Sequence, residues 1–367
     1  MKNIIGQHCG FEDLTIRQFE DTLSMDGMIS GVLMPDAHPG KYGANGSVFL
    51  SENLYPVLAG NDIGCGYSLA MLDGKRNQDI LGKTLSGFDI TPFSHDHDIG
   101  KDMVSSAGTI GHGNHFLEIH VVDEILDDHA FRSMKLSEKA QYVFVHTGSR
   151  GMGNAVLDRI LSSGVHAASG DVADEYMSMH DAALAFARNN RMICMEKAAS
   201  MLDMDMVPVL DVFHNFIEKT DGGYLHRKSV SPASSPVMIA GSRGDHSALV
   251  IPVPVRDALH SIAHGAGRRI NRGDARNMKP TFRNRMGNMV LCDDRNLLLE
   301  EDPKCYRPVR DVLRDLEDAG MVRVVALMKP LVTYKTMDGM ISRERRARSR
   351  DRDMDRKMAR KEKNRWK

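Results

Sequence analysis

A carboxylate and a thiol lie three residues apart in a glycine-rich segment, Asn61-Asp62-Ile63-Gly64-Cys65-Gly66. Both groups are common metal ligands, and the flanking glycines make an ordinary buried thiol less natural at Cys65. Histidines beside strand-like runs can supply further ligands, and they occur in Asn114-His115-Phe116-Leu117-Glu118, in Phe144-Val145-His146-Thr147-Gly148 and in Asp211-Val212-Phe213-His214-Asn215. The sequence therefore predicts a metal site that combines the first segment with these histidines.

The ligand types also suggest how many ions are bound. A thiolate, a carboxylate and three imidazoles offer more donors than one tetrahedral ion needs, so two metals sharing the Cys65 sulfur are a reasonable arrangement. Spacing alone does not prove it, because a single histidine is more often a hydrogen-bonded core or surface residue. Only the five residues together favour a metal site.

A further histidine lies among glycines in Ser261-Ile262-Ala263-His264-Gly265-Ala266-Gly267-Arg268. The glycines would let backbone amides approach phosphate oxygens, and Arg268 could offer its planar guanidinium to the same group. The same pattern also fits a glycine-rich turn with an exposed histidine. The residues alone leave both interpretations open.

The segments that carry these motifs predict a mixed fold. Short runs of β-branched residues end at or near motif residues, at 116–122, 142–145, 207–212 and 237–240. We predict a long helix over 174–204, a helix that follows Pro308 and ends before Gly320, and a strand over 321–329. No Pro/Ser-rich linker divides residues 1–335, which favours a single compact α+β domain with mixed sheets surrounded by helices over a doubly wound sheet.

Composition excludes several classes of protein. With 367 residues and 42% hydrophobic content, the chain can bury a sizeable core. Its five cysteines are scattered and odd in number, which argues against a secreted disulfide framework and favours the reducing cytoplasm. No apolar run approaches the span of a bilayer, and the first residues lack the apolar core of a signal peptide. We expect neither a membrane segment nor export.

The charge is distributed unevenly. Residues 336–367 contain thirteen Lys and Arg against six Asp and Glu, an excess of +7, whereas the whole chain has a formal net charge of −1, so residues 1–335 carry −8. The tail has few apolar residues, which is typical of a solvated helix or a disordered segment. It would also suit binding to RNA phosphates without sequence preference.

Taken together and in this order, the motifs resemble those of the RtcB-type RNA ligases, and the resemblance runs from Met34-Pro35-Asp36-Ala37-His38 to Lys335. Members of that family join RNA 3′-phosphate or 2′,3′-cyclic phosphate ends to 5′-hydroxyl ends with GTP and manganese. The resemblance implies these cofactors, two Mn²⁺ per site, and an RNA substrate with broken ends, tRNA or rRNA. Cysteine and histidine would ordinarily suggest zinc, so manganese follows from the resemblance.

The resemblance also implies a role for each motif residue. Asp62, Cys65 and His115 would hold one metal, and Cys65, His146 and His214 the other. His264 would be the nucleophile that becomes guanylylated, splitting a difficult condensation into easier steps. The implied nucleotide pocket comprises Asn114, Phe116, Glu118, Ser242, Ser247, Gly265, Ala266, Gly267 and Lys335. The cations implied for the RNA termini or the migrating GMP are Arg150, Arg227, Lys228 and Arg268.

Some segments depart from the pattern of the family. Arg243 stands where methionine is common, Asp245-His246 replaces a small neutral pair, and Ser229-Val230-Ser231 replaces a small Gly-Ala-Thr. The stretch between His214 and His226 is short, so an insertion of the family is missing. These differences indicate a divergent paralogue, of the kind found beside a release-factor homologue and linked with repair of damaged RNA.

Two other functions remain open from the sequence. A dinuclear metallo-phosphodiesterase acting on RNA ends would keep the five metal-type residues without needing GTP, His264 or Glu118. A noncatalytic RNA-binding protein would need only the basic tail. A dinucleotide enzyme is disfavoured, because Gly148-Ser149-Arg150-Gly151-Met152-Gly153 lacks the G-x-G-x-x-G spacing.

Overall fold

The computed structural model describes residues 2–91, 93–98, 106–279 and 286–336. In these ranges the strands are β1 (Lys2–Ile4), β2 (Met28–His38), β3 (Asn45–Ser51), β4 (Gly66–Leu72), β5 (Phe116–Ile125), β6 (Gln141–Thr147), β7 (Met206–Phe213), β8 (Asn215–Thr220), β9 (Gly223–Lys228), β10 (Val230–Pro232), β11 (Val237–Ile239), β12 (Ser247–Pro252), β13 (Ser261–Ala263), β14 (Met289–Cys292) and β15 (Val322–Thr336). The helices are α1 (Asp13–Leu23), α2 (Pro56–Ala59), α3 (Gln78–Leu85), α4 (Asp128–Ser133), α5 (Gly151–Ser162), α6 (Gly170–Met201), α7 (Arg272–Ala275), α8 (Arg295–Glu300) and α9 (Val309–Asp318).

Two large sheets organise the described part of the chain. One has the strand order β1-β2-β3-β9-β8, and the other follows β11-β12-β15-β5-β6-β4-β7, with β14 beside β15. Most neighbours are antiparallel, but β1 pairs with β2 and β14 with β15 in parallel, so both sheets are mixed. Helices pack around them in one compact domain, which confirms the predicted α+β class.

An apolar core joins the two sheets. Val32 and Val48 of the smaller sheet, Ile239 and Val250 of the larger one, and Leu316 of α9 belong to one buried cluster. Burial of such side chains contributes about 1.5–3 kcal/mol each relative to exposure. This cluster holds the strands that carry the remaining motifs close to the larger sheet.

The predicted elements are present, with shifted ends. The four short runs lie in β5, β6, β7 and β11, and the long helix is α6. Helix α9 follows Pro308 and buries Val312 and Leu316, and Gly320 adopts a positive φ of 64° where the chain leaves it. Strand β15 continues beyond the predicted end to Thr336. The predicted basic tail from residue 337 onward lies outside the described residues.

Strand register brings the segments that contain the five candidate metal ligands to one edge of the larger sheet. Gly66, at the start of β4, pairs with Thr147 of β6 and with Phe213 of β7. Phe116, at the start of β5, pairs with His146. Because these strands are antiparallel, the starts of β4 and β5 meet the ends of β6 and β7. The residues just outside these strand ends therefore converge.

Within the described residues, no helix is long and apolar enough to span a membrane. Helix α6 is long enough, but it carries charged residues throughout and buries Asn190 and Arg191 against the larger sheet. It lies against β4 and β6, behind the edge where the motifs meet.

Candidate active site

A thiol and two imidazoles meet at the edge of the larger sheet. Cys65 Sγ lies 3.4 Å from His115 Nε2 and 3.1 Å from His146 Nε2, and all three residues are buried. Their potential ligand atoms lie within 4.8 Å of one another. The sequence predicted this group, although Cys65 and His146 are 81 positions apart in the chain.

Asp62 and His214 extend the group on opposite sides. Asp62 Oδ2 lies 2.8 Å from His115 Nε2, whereas His214 Nε2 lies 3.2 Å from His146 Nε2. Cys65 thus stands between an aspartate–histidine pair and a histidine–histidine pair. All five predicted residues are brought together in one cluster.

Electrostatics favour neutral imidazoles in this group. Burial lowers the pKa of His146 and of His214 well below the usual value, and neighbouring histidines add to the effect. Burial, together with the charge of Asp62, raises the pKa of the Cys65 thiol. For Asp62, burial acts upward, but contact with His115 outweighs it and the pKa of the carboxyl is lowered.

The donor set fits metal ions. Two imidazoles that favour the neutral state turn their Nε2 atoms toward each other, and a cation between such acceptors is the arrangement that stabilises them. His146 Nδ1 lies 3.3 Å from the carbonyl oxygen of Asn114, a contact that directs the Nδ1 proton outward and leaves Nε2 free as a ligand. A Cβ at Gly148 would lie within clashing distance of Asp62 Oδ1, so a larger residue there would displace the Asp62 carboxylate.

Arg191, which no motif in the sequence revealed, supports the backbone next to Cys65 and His146 from the side of α6. Its side chain in α6 is fully buried, and Nη1 donates to the carbonyl oxygens of Gly64 (2.8 Å) and Thr147 (3.1 Å). Gly64 directly precedes Cys65 in the chain, and Thr147 directly follows His146. Asp211 receives further guanidinium contacts, at 2.7 Å from Nε and 3.1 Å from Nη2, and Nε also donates to Ser68 Oγ at 3.0 Å. One buried ion pair therefore fixes both loops, and the only sequence signal was an arginine on the apolar face of a helix.

His264 comes from the opposite wall of the site. It follows β13, and Ala240 N donates to His264 O at 3.1 Å, so the segment is fastened to the end of β11. His264 Nδ1 lies 2.6 Å from Asp36 Oδ2, and the same oxygen accepts the backbone N–H groups of His264 and Gly265 at 3.2 Å each. Asp36 therefore lies against Nδ1, and Nε2 is the ring nitrogen without this contact.

Asp36 marks the start of the family resemblance in the sequence, but no role was predicted for it. It is completely buried near the end of β2. A Cβ on Gly267, whose φ is +67°, would collide with the Asp36 carbonyl. The glycines after His264 thus permit the close approach of the two chain segments, which explains the pattern seen in the sequence.

Tyr67 packs against both the histidine cluster and His264, and it too was not predicted from the sequence. The rings of His214 and His264 are themselves 4.6 Å apart. The Tyr67 ring centroid is 4.6 Å from that of His146 and 4.7 Å from that of His214. It lies nearly parallel to the His264 ring, at 10° and 6.2 Å. Burial raises the pKa of the phenol well above its usual value, so the hydroxyl stays protonated.

A cleft of about 920 Å³ opens over these residues and is lined by the metal-type cluster, His264 and several predicted pocket residues. Phe116, Glu118 and Lys335 lie on one wall. Glu118 is buried, with Oε2 2.8 Å from His120 Nε2 and Oε1 accepting from the Thr333 hydroxyl at 2.6 Å. Each carboxylate oxygen keeps a further lone pair for a ligand in the cleft.

Lys335 is held by a counter-ion that the sequence did not reveal. Its ammonium lies 3.5 Å from Glu301 Oε2 and donates to His115 O at 3.1 Å. Burial lowers the pKa of Lys335, while Glu301 opposes that shift. Glu301 is also 3.2 Å from Arg268 Nη1, so one buried carboxylate links the two basic residues.

The other predicted nucleotide residues fall into two groups. Asn114, Ser242, Gly265, Ala266 and Gly267 line the cleft. Ser247 lies outside the lining, where its hydroxyl accepts a hydrogen bond from Gly241 N at 3.2 Å. Ser247 therefore shapes the turn that presents Ser242.

The four predicted phosphate-binding cations differ in availability. Arg150 and Lys228 line the cleft, and the ammonium of Lys228 has no hydrogen-bond or ion-pair partner among the described residues. Burial lowers the pKa of Lys228 to about 8. Arg268 also lines the cleft but donates to Glu300 O and Tyr306. Arg227 lies outside the lining, paired with Glu218 at 2.6 Å.

The residues that depart from the family pattern mainly form contacts between secondary-structure elements. Arg243 lines the cleft, yet its Nε donates to Glu301 O at the end of α8, at 3.1 Å. Asp245 Oδ2 accepts Val309 N at 2.8 Å and so caps α9, while His246 lies 2.8 Å from Asp123. Ser229 lines the cleft with a φ of 56°. The short stretch between His214 and His226 forms β8 and the start of β9, joined by a tight hairpin.

Comparison with known proteins adds an independent finding. A family model described as "tRNA-splicing ligase RtcB" matches residues 89–336. The chain is 36% identical to the RNA-splicing ligase RtcB2 of Escherichia coli over 356 residues, which covers 89% of this chain and 93% of that protein. It is 30% identical to the RNA-splicing ligase RtcB of Mycobacterium tuberculosis, covering 74% and 73%, and 30% identical to the tRNA-splicing ligase RtcB of Nanoarchaeum equitans, covering 64% and 60%.

Proposed function

Because the chain belongs to the RtcB family of RNA ligases, we propose that it is a GTP- and manganese-dependent ligase that joins RNA 3′-phosphate or 2′,3′-cyclic phosphate ends to 5′-hydroxyl ends. The observation that carries this proposal is the arrangement in one cleft of the Cys65 cluster and of His264 with Asp36 behind it. A phosphodiesterase would need the cluster but not the oriented histidine.

In the proposed mechanism, His264 Nε2 attacks the α-phosphorus of GTP and pyrophosphate leaves. Asp36 keeps the proton on Nδ1 and stabilises the positive charge that develops on the ring. GMP then moves from His264 to the RNA 3′-phosphate. Finally the 5′-hydroxyl oxygen attacks this activated end, and GMP is the leaving group. A 2′,3′-cyclic phosphate is hydrolysed before the second step: water attacks the phosphorus, the bond from phosphorus to O2′ breaks, and a 3′-phosphate and a 2′-hydroxyl result.

Two metal ions would neutralise phosphate charge and help to activate the attacking oxygen. Asp62, Cys65 and His115 would hold one, and Cys65, His146 and His214 the other, in line with the two pairs on either side of the thiol. Nitrogen and carboxylate donors suit manganese, whereas the thiolate is a softer ligand. Our choice of manganese follows from family membership.

The cleft residues would bind the nucleotide and the RNA end. Phe116 would lie against the base, and Glu118 would accept hydrogen bonds from the guanine edge. Asn114 and Ser242 would contact the phosphates and ribose, and Lys335 would lie near the base. Arg150 and Lys228 are the cations least engaged by other residues, so we assign the RNA phosphates to them first.

A ligation assay with defined termini tests this function. An RNA with a 3′-phosphate and one with a 5′-hydroxyl should be joined in the presence of GTP and Mn²⁺, and not with ATP. The same pair with a 3′-hydroxyl and a 5′-phosphate is the matched control and should stay unjoined. End trimming or cyclic-phosphate opening without joining and without GTP would identify a metallo-phosphodiesterase instead.

We place the ligase in RNA repair or tRNA splicing, on tRNA or rRNA with broken ends. Five free cysteines suit the reducing cytoplasm. We also propose a release-factor-like protein as a functional partner. This proposal is based on the departures from the family pattern described above.

Glu118→Gln should reduce the preference for GTP over ATP by roughly tenfold or more, because the amide places a donor where guanine also donates. Competition between the two nucleotides during covalent labelling measures this preference. Glu124→Gln on the same strand is the control, since that side chain is exposed and pairs with Arg310. An unchanged preference in Glu118→Gln would remove Glu118 from the base pocket.

Truncation after Thr336 should weaken RNA binding but spare labelling by GTP. Thr336 is retained because it ends β15 and its carbonyl accepts Asp293 N at 3.0 Å. The salt dependence of RNA binding should become shallower by roughly one unit of log–log slope for each phosphate that the tail neutralises in the full chain. Substituting glutamine for Arg343, Arg345, Arg346 and Arg348 in the full chain is the matched control. If the truncated chain binds RNA as the full chain does at every salt concentration, the tail does not bind RNA.

A further inference from the structure

The hydroxyl group of Tyr67 has no assigned role in the chemistry described above. The residue is only 4% exposed, and within the described residues the hydroxyl makes no hydrogen bond. A buried phenol usually finds a partner, because an unsatisfied hydroxyl costs free energy. The hydroxyl group of Tyr67 is thus available to a ligand.

The position of this hydroxyl is fixed on several sides. Phe144 and the two cluster histidines pack around the ring, with the Phe144 centroid at 5.2 Å. The oxygen lies beside the nucleophile segment, since a Cβ placed on Gly265 would be 3.6 Å from it. Tyr67 lines the cleft at this point. The donor is therefore rigid and next to His264.

We propose that the Tyr67 hydroxyl binds the α-phosphate of the nucleotide by donating a hydrogen bond to a non-bridging oxygen while His264 attacks. This inference rests on the proposed function. The bond from His264 Nε2 to phosphorus forms as the bond from phosphorus to the pyrophosphate oxygen breaks, and the phenolic proton stays on Tyr67 throughout. Its contribution is to stabilise negative charge on the oxygens of the phosphoryl group in transfer.

The ring environment explains why a preorganised donor suits this place. Tyr67 and His264 lie nearly parallel, with their ring centroids 6.2 Å apart, and both residues line the same space in the cleft. A group that moves between His264 and an RNA end passes through this space. A fixed donor needs no reorganisation during transfer, and removal of one such donor typically slows a reaction by about 10²–10³-fold.

Tyr67→Phe tests the role with little expected damage to the fold, because the ring packing is kept and an unpartnered oxygen is removed. We expect the single-turnover rate of GMP labelling to fall by about 10²–10³-fold. Tyr176→Phe is the matched control, since Tyr176 is fully buried, has an unpartnered hydroxyl and lies outside the cleft. It should be labelled at the wild-type rate.

A binding measurement gives a readout that does not depend on turnover. In a His264→Ala background, Tyr67→Phe should weaken GMP binding by about fivefold to tenfold in titration calorimetry, as expected for a hydrogen bond to a charged group. Metal content and melting temperature should stay unchanged. Replacing one non-bridging oxygen of the GTP α-phosphate with sulfur gives two diastereomers. One of them should slow the labelling of the wild-type protein more than the labelling of Tyr67→Phe.

Three results would overturn the inference. Labelling of Tyr67→Phe at the wild-type rate, where the wild-type protein is itself labelled, refutes this inference alone. Loss of metal from Tyr67→Phe would show that the hydroxyl serves the cluster and not the nucleotide. A wild-type protein that takes up no GMP would overturn the proposed function and this inference with it.

Discussion

His264→Ala should abolish covalent labelling by radiolabelled GTP while bound metal stays at the wild-type level. The expectation follows from geometry, because His264 contacts Asp36 through Nδ1 and is not one of the five residues that we assign to the metals. Removal of the attacking nitrogen closes the covalent route completely. Gel detection of labelled protein and elemental analysis of the same samples measure the two quantities.

His180→Ala is the control for this experiment. His180 is fully buried, and its Nε2 accepts Ile217 N at 3.0 Å, outside the cleft. The substitution should destabilise the fold by about 1–3 kcal/mol through an unsatisfied N–H, yet leave labelling intact. Labelling that survives in His264→Ala would contradict the assignment of His264 as nucleophile.

Cys65→Ser should lower bound metal from about two ions per chain toward one or none, and labelling should fall with it. The thiol is the group that contacts both sides of the cluster, so its removal affects both proposed sites. A neutral hydroxyl is a poorer ligand than a thiolate. Elemental analysis after dialysis against Mn²⁺ measures the stoichiometry.

The matched substitution is Cys194→Ser, at a thiol that is fully buried in α6 and lies outside the cleft. It should keep two ions and reduce only thermal stability. Two ions retained by Cys65→Ser would show that the sulfur bridges nothing. Removal of metal with a chelator should abolish labelling of the wild-type protein in parallel.

Much of the cluster was predictable because its members adjoin recognisable strands. Alternation and β-branched residues predicted β5, β6 and β7, and their antiparallel register carries His115, His146 and His214 to one edge. Local sequence identified the candidate ligands, and only the pairing of strands made them neighbours. The α+β class followed from the same elements.

The residues that support the site were not predictable in this way. Asp36 contacts His264 across 228 positions of sequence, and a single aspartate in a strand gives no local sign of such a partner. Arg191 and Glu301 act through buried contacts with segments that the chain brings together only after folding. Tyr67 resembles any aromatic residue at the start of a strand until the three histidine rings around it are seen.

The central claim is that the chain forms a covalent adduct with GMP. Intact-mass spectrometry of the full-length protein after incubation with GTP and Mn²⁺ tests it most directly. We predict a mass increase of one GMP per chain, absent with ATP and absent after chelation of the metal. An unmodified mass under these conditions, in protein that has bound metal and still processes RNA ends, would contradict the claim.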